Sequence, residues 1–118
     1  MKRFSHHFLF LLFLGFLNHF NSFAQADEIP QEIRLLLAKN MCISCHTIHE
    51  KFIGPSYVEI GERNYSVDQM MSLIKSPIPQ NWPDYQPMTP LPYLPKDEVK
   101  KIAEWIATLN KTENVKKE

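Results

Sequence analysis

The sequence predicts an all-α domain, and three observations lead to this prediction. Apolar residues recur at helical spacing in three segments, which begin near residues 30, 67 and 96. The segment between the last two, residues 76–95, holds seven of the nine prolines and can form neither a helix nor a central strand. No convincing strand pattern surrounds the paired cysteines. A length of 118 residues allows one domain.

The N-terminal residues 1–26 are typical of a secretory signal peptide. Lys2 opens a positive start, and residues 8–17 form a nearly unbroken apolar run that is too short to span a bilayer comfortably. Small residues then offer cleavage after Ala24 or Ala26. An uncleaved membrane anchor is the alternative. We therefore expect an exported, periplasmic protein with no stable membrane insertion after the signal is removed.

Removal of this segment leaves a 92-residue chain of nearly balanced charge. Its 11 basic and 13 acidic side chains give a formal charge of −2. This charge is too small to indicate nucleic acid or an acidic membrane surface as a partner. We expect a folded domain at residues 27–110, followed by a polar tail at residues 111–118. A domain of this size buries only a modest core of its own.

The most informative motif is Cys42-Ile43-Ser44-Cys45-His46, the C-x-x-C-H attachment signal of a c-type haem. On one turn of helix Cys42 and Cys45 share a face, so their sulfurs can form thioethers with the two vinyl groups on one porphyrin edge. His46 can then bind the iron as the proximal ligand. Export supports this interpretation, because covalent haem attachment in bacteria is completed outside the cytoplasm.

Other interpretations of the same motif remain open. A zinc site could combine its three ligands with His49, although zinc sites usually draw a second ligand pair from a distant segment. A thioredoxin-like thiol pair would be expected in a βαβ setting. A disulfide between Cys42 and Cys45 would be strained and would close almost no loop. We expect His49 to be an exposed loop residue.

Three further residues are candidates for the surroundings of a haem. Met88 lies in Pro87-Met88-Thr89-Pro90, where prolines on both sides could hold a weak thioether ligand at a fixed distance from iron. The carbonyl of Pro55 is a candidate acceptor for the second ring N–H of His46, since metal-bound histidines usually donate that proton. The indole N–H of Trp82 could reach a haem propionate, or its ring could simply pack in the loop.

Two of the predicted helices precede the proline-rich segment. The first runs from Pro30 to the haem motif and buries one apolar face, formed by Ile33, Leu36, Leu37 and Met41. The second spans Val67–Lys75, with Ser66 as its cap and Gln69 at the capping-box position. Its buried side consists of Met70, Met71, Leu73 and Ile74, in which the methionines fill the core rather than bind iron.

The last predicted helix runs from Lys96 to about Leu109. Its acidic first turn suits the helix dipole. Trp105 is expected at the edge of its apolar face, which comprises Val99, Ile102, Ala103, Ile106 and Leu109.

Taken in order, these parts resemble the class I monohaem cytochromes c, especially the small bacterial cytochrome c-551 type. The resemblance covers about residues 29–109, and the matching motif positions are Cys42, Cys45, His46, Gly54, Pro55, Met88 and Trp105, with a looser match at Trp82. It implies a cytochrome c fold of three to four helices around one covalently attached haem, with His46 and Met88 as axial ligands. Met41, Leu37 and Thr89 depart from the family's usual residues.

The expected function is that of a soluble periplasmic electron carrier rather than an enzyme, because two protein ligands leave no open site on the iron. Its partners would be transient redox proteins, a reductase and an oxidase or peroxidase. One alternative is a haem-containing sensor or an electron-transfer subunit of a larger redox enzyme; a sensor would require Met88 to be absent from the iron or displaceable, which would leave a site for a gas or peroxide. The other is a zinc or thiol-redox protein.

Overall fold

The structure, a computed structural model, describes residues 29–115 and gives side chains as far as residue 110. The predicted signal peptide, both cleavage sites and the last three residues of the tail lie outside the described residues. Within residues 29–115, no helix has the length and apolar character needed to cross a membrane.

Helices make up all the regular secondary structure of residues 29–115, which contain no strand. Four are α-helices: α1 (Gln31–Lys39), α2 (Tyr57–Glu62), α3 (Val67–Lys75) and α4 (Lys96–Val115). Two short 3₁₀ turns, Cys42–Ser44 and Pro79–Asn81, complete the set. The predicted all-α class is thereby confirmed.

Helix α1 begins directly after Pro30 and ends before the cysteine motif. Ile33 and Leu37 are buried as predicted. The prediction for Met41 was wrong, because its side chain is 69% exposed. The helix stops at Lys39, and Met41 adopts the left-handed conformation with φ of 59°. This conformation, uncommon for a residue with a side chain, turns the chain out of the helix and into the 3₁₀ turn of the cysteines.

Helices α2 and α3 both start with a capping box. Ser66 accepts a hydrogen bond from the Gln69 amide, and the Gln69 side chain accepts one from the Ser66 amide. This confirms the predicted start of α3. Ser56 and Glu59 form the same reciprocal pair at α2. Helix α2 was not predicted, although its sequence carries the same signal.

Helix α4 packs against the other three helices and forms the centre of the core. It continues to Val115, so the predicted end near Leu109 was wrong. No glycine or proline follows Leu109 to stop the helix. Trp105 was expected at the edge of the apolar face but is only 6% exposed, and its ring meets that of Tyr57 edge to face at 5.0 Å.

Ion pairs join α1 to α4 around the buried contact. Lys39 donates to the carboxylate of Glu98, and Lys101 donates to Glu32. Both pairs are at least partly exposed to solvent, where such interactions contribute little stability. The apolar residues between the helices therefore supply most of the stabilisation: Ile33 and Leu37 from α1, Met70 and Met71 from α3, and Val99, Ile102, Ala103, Ile106 and Leu109 from α4.

Candidate haem-binding site

A cavity of about 280 Å³ lies between the four helices and the proline-rich loop. Most of its wall is apolar, as expected of a pocket for a flat hydrophobic group. The 3₁₀ turn of the cysteines, Cys42–Ser44, and the segment after it contribute one part of the wall. Residues 77–89 contribute another part. All six residues selected from the sequence line this cavity: Cys42, Cys45, His46, Pro55, Trp82 and Met88.

The two cysteines form no disulfide and lie at the cavity wall, partly exposed to solvent. The turn between them is closed by hydrogen bonds to the Cys42 carbonyl from the amides of Cys45, at 3.2 Å, and His46, at 3.0 Å. Burial is the largest cause that raises the pKa of the Cys42 thiol, and the nearby Cys45 raises it further. Both cysteines thus lie on one short turn at the cavity wall, as attachment to one porphyrin edge would require.

The zinc interpretation gains no support from the described part of the chain. Residues 29–115 contain no group of three or more His, Cys, Asp or Glu side chains arranged to hold a metal ion. His49, the fourth ligand considered, is exposed in the loop after His46, as expected. The soft donors and the imidazole that line the cavity are those of Cys42, Cys45, His46 and two methionines, Met88 on the loop and Met70, which is 3% exposed and belongs to the core of α3.

The imidazole of His46 has a fixed partner. Its Nδ1 lies 2.7 Å from the carbonyl oxygen of Pro55, the contact suggested by the sequence. Because a carbonyl can only accept, Nδ1 carries the proton and Nε2 retains a lone pair. This is the tautomer that a metal-binding histidine requires.

Gly54 makes room for that imidazole. A Cβ atom at Gly54 would lie 2.6 Å from Cε1 and 2.9 Å from Nδ1 of His46, which is closer than such atoms normally approach. The Gly54 amide also donates to the Cys45 carbonyl at 2.8 Å. The Tyr57 amide donates to the backbone carbonyl of Thr47 at 2.9 Å. These bonds hold the Gly-Pro turn beside the haem motif, so glycine here serves close approach rather than an unusual backbone angle.

Tyr57 presents a buried polar atom near the same cavity. Its side chain is 3% exposed, and its hydroxyl has no hydrogen-bond partner among the residues that the structure describes. Its ring lies 5.6 Å from that of His46. Burial, followed by the proximity of Cys42 and Cys45, raises the pKa of this hydroxyl well above its ordinary value. A buried group without a partner at a cavity wall indicates that a non-protein group belongs in the cavity.

The proline-rich loop supplies Trp82 and Met88, both half-buried. The guanidinium of Arg63 lies 4.3 Å from the centre of the Trp82 ring. Tyr85 lies 5.9 Å from Trp82 and, like it, lines the cavity. The loop is thus packed against its surroundings, as the prolines and apolar residues of its sequence suggested.

Sequence reasoning missed several residues of this site. Tyr57 and Tyr85 line the cavity, and Glu59 bonds Tyr85 from outside it. Glu59 could have been found from its position three residues after Ser56, which is a capping-box spacing. No local pattern relates Glu59 to Tyr85, which lies 26 residues further along the chain.

The donor set and the apolar wall together fit a haem c. Two thiols on one turn can attach a porphyrin edge, and an imidazole with a free Nε2 beside them can bind its iron. The methionine on the proline-flanked loop offers a second, softer donor.

Comparison with known proteins gives the same result. No family model matches the chain. It is 32% identical over 78 residues to cytochrome c-551 of Pseudomonas denitrificans, an alignment that covers 63% of this chain and 93% of that relative. It is 28% identical over 76 residues to cytochrome c-551 of Ectopseudomonas mendocina, with the same shares covered. It is 29% identical over 90 residues to that of Stutzerimonas stutzeri, covering 73% of this chain and 85% of the relative.

These alignments span most of each relative, and the cavity supplies the donors that their haem needs. The chain therefore belongs to the cytochrome c-551 family of class I cytochromes c, which carry one covalently bound haem c and transfer electrons.

Proposed function

We propose that this protein is an exported electron carrier, not an enzyme, whose haem iron is bound by Nε2 of His46 and the sulfur of Met88. The observation that supports this most strongly is the convergence of both cysteines, His46 and Met88 on one apolar cavity. The contact of His46 with Pro55 adds support, because it leaves the correct ring nitrogen free for a metal.

Each part of the chain then has a distinct role. When bound, the haem supplies one-electron exchange between ferrous and ferric iron. Cys42 and Cys45 fix the porphyrin, while Gly54 and Pro55 orient the imidazole of His46. The stiff loop holds Met88 in place, and the apolar wall excludes water. A thioether is a soft ligand that favours ferrous iron, so Met88 would raise the reduction potential.

Trp82 has a proposed role at the edge of the haem. The indole N–H of Trp82, at the cavity wall, would hydrogen-bond a haem propionate.

Partners would be a reductase and an oxidase or peroxidase, each docking briefly through a small interface. Export to the periplasm would remove residues 1–24 or 1–26. Sequencing the N-terminus of the protein recovered from the periplasm tests the cleavage.

Substitution of Met88 tests the ligand assignment. Met88→Leu keeps the apolar volume but removes the sulfur. We expect the ferric protein to lose the weak far-red absorption band that sulfur ligation gives to haem iron, and the ferrous protein to bind carbon monoxide. The reduction potential should fall by about 0.1 V or more, since axial ligands set haem potentials over a range of about 0.8 V.

Met71→Leu is the matched control, because Met71 is 8% exposed and belongs to the apolar core. It should retain the far-red band and a near-normal potential. Carbon monoxide binding by the unmodified ferrous protein under native conditions would contradict the carrier proposal and favour a sensor instead. A Met88→Leu protein with unchanged spectrum and potential would contradict the ligand assignment.

A further inference from the structure

A tyrosine of the proline-rich loop is hydrogen-bonded to helix α2. The Tyr85 hydroxyl lies 2.8 Å from one carboxylate oxygen of Glu59 and 2.9 Å from the other. Tyr85 precedes Met88 by only three residues, in a segment stiffened by prolines on both sides. The bond therefore fixes the loop close to the proposed iron ligand.

The Glu59 end of this bond is itself firmly held. One oxygen of Glu59 accepts from the Ser56 amide at 2.9 Å, and the Glu59 amide donates to the Ser56 hydroxyl at 3.1 Å. Ser56 is fully buried and directly follows Pro55, the acceptor for His46. The carboxylate that receives Tyr85 thus belongs to the same short segment that orients the proximal histidine.

The local charges favour a strong bond. Burial opposes ionisation of Glu59, but the Ser56 amide, the Tyr85 hydroxyl and the Lys51 ammonium outweigh it and hold the pKa of the carboxyl below its ordinary value. The Lys51 ammonium lies 4.5 Å from the centre of the Tyr85 ring. Burial, Glu59 and Asp84 raise the pKa of the Tyr85 hydroxyl. At neutral pH a protonated phenol therefore donates to a carboxylate, the stronger class of hydrogen bond.

A second contact joins the same two regions. Arg63, at the end of α2, places its guanidinium over the Trp82 ring and donates to the Asn81 carbonyl at 3.3 Å. Trp82 in turn packs edge to face against Tyr85. Tyr85 therefore ties the loop to the N-terminal end of α2, while Arg63 ties it to the C-terminal end.

We propose that Tyr85 is a positioning residue for Met88. Its hydrogen bond to Glu59 couples the loop that carries the methionine to the segment that orients His46, and so keeps the sulfur at the iron. This inference rests on the proposed function, in which Met88 is the second axial ligand. In this proposal Met88 leaves the iron when the loop moves away, and the hydrogen bond between Tyr85 and Glu59 opposes that movement.

The test is a titration of the ferric holoprotein with imidazole at pH 7, followed by the far-red band. Imidazole can reach the iron only when Met88 has left, so its apparent affinity reports the population of the open loop. Tyr85→Phe keeps the ring contacts and removes the hydroxyl. We expect it to bind imidazole about fivefold more tightly, equivalent to roughly 1 kcal/mol of lost restraint.

Tyr93→Phe is the matched control, because Tyr93 lies in the same loop and is 76% exposed. It should leave the imidazole affinity unchanged. Glu59→Gln keeps a capping acceptor, as Gln69 does at α3, but removes the charge. In that background Tyr85→Phe should have a smaller effect, because the amide oxygen of glutamine is a weaker acceptor for the Tyr85 hydroxyl than a carboxylate is. If the Tyr85 hydroxyl only stabilised the fold, the effect of Tyr85→Phe on imidazole affinity would not depend on the residue at position 59.

Three results would overturn the inference: no change in Tyr85→Phe, an equal change in Tyr93→Phe, or an undiminished effect in the Glu59→Gln background. If Tyr85→Phe yields no holoprotein, Glu59→Gln alone should show tighter imidazole binding, and its failure to do so would also overturn the inference. Absence of the far-red band from the unmodified protein would instead contradict the proposed function.

Discussion

At the scale of single residues, the orientation of the His46 ring depends on two neighbours that bind no metal. The Pro55 carbonyl accepts a hydrogen bond from Nδ1 of His46, and Gly54 leaves the space that the ring occupies. A side chain at Gly54 would have to displace the ring, and the ring is already held by its hydrogen bond. If His46 binds the iron as we propose, movement of the ring would change both the direction and the strength of that bond.

We therefore expect Gly54→Ala to perturb the haem more than the fold. The new methyl group would lie 2.6 Å from Cε1 of His46 if nothing moved. Relief of this contact should tilt the imidazole, shift the reduction potential and change the electron paramagnetic resonance spectrum of the ferric form. Overpacking should also lower the free energy of unfolding by about 1–3 kcal/mol.

Gly61→Ala provides the comparison. A methyl group there would lie 2.9 Å from the Ile106 carbonyl oxygen, at the contact between α2 and α4 and away from His46. It should destabilise the fold by a similar amount and leave the ferric spectrum unchanged. If both variants altered the spectrum equally, Gly54 would have no special role in orienting the histidine.

Which residues of the site could be predicted from the sequence depends on how far apart they lie along the chain. Cys42, Cys45 and His46 lie within five consecutive residues, so their chemistry is visible as a motif. The Pro55 contact could be suggested because a turn signal follows the motif closely. The Glu59–Tyr85 bond could not, because it joins residues far apart in sequence. Such a contact depends on how the loop packs, and no local pattern encodes it.

At the scale of elements, helix starts were more predictable than helix ends. The capping box at Ser66 defines the start of α3 through bonds within four residues. The end of α1 depends instead on the left-handed backbone at Met41, a conformation that the sequence did not indicate. Helix α2 has a clear cap, but at six residues it lacks the repeated apolar spacing by which the longer helices were found.

The cap of α3 can be tested by Ser66→Ala. This change removes the acceptor for the Gln69 amide and should lower the free energy of unfolding by about 1 kcal/mol. Ser72→Ala, at an exposed position within the same helix, should have little effect or be slightly stabilising, because alanine has the higher helix propensity. Chemical denaturation of both holoproteins compares them. Equal stabilities would mean that the capping bond contributes nothing measurable.

At the scale of the whole molecule, the haem acts as part of the core. All four helices and the proline-rich loop contribute side chains to the cavity wall. The polypeptide core alone is modest for a domain of this size, and a haem attached, as we propose, through Cys42 and Cys45 would complete it. In our proposal the same arrangement would place one flat redox group between His46 and Met88, within a largely apolar wall that limits contact with water, as an electron carrier requires.

The central claim is that the iron lies between His46 and Met88. Proton NMR of the ferrous holoprotein with labelled methionine methyl groups tests it most directly, because the ring current of a porphyrin strongly shifts a methyl group held over its face. Met71, which is in the apolar core and does not line the cavity, serves as an internal reference. We expect one strongly upfield methyl signal that disappears in Met88→Leu. A Met88 methyl signal in the ordinary range would contradict the account.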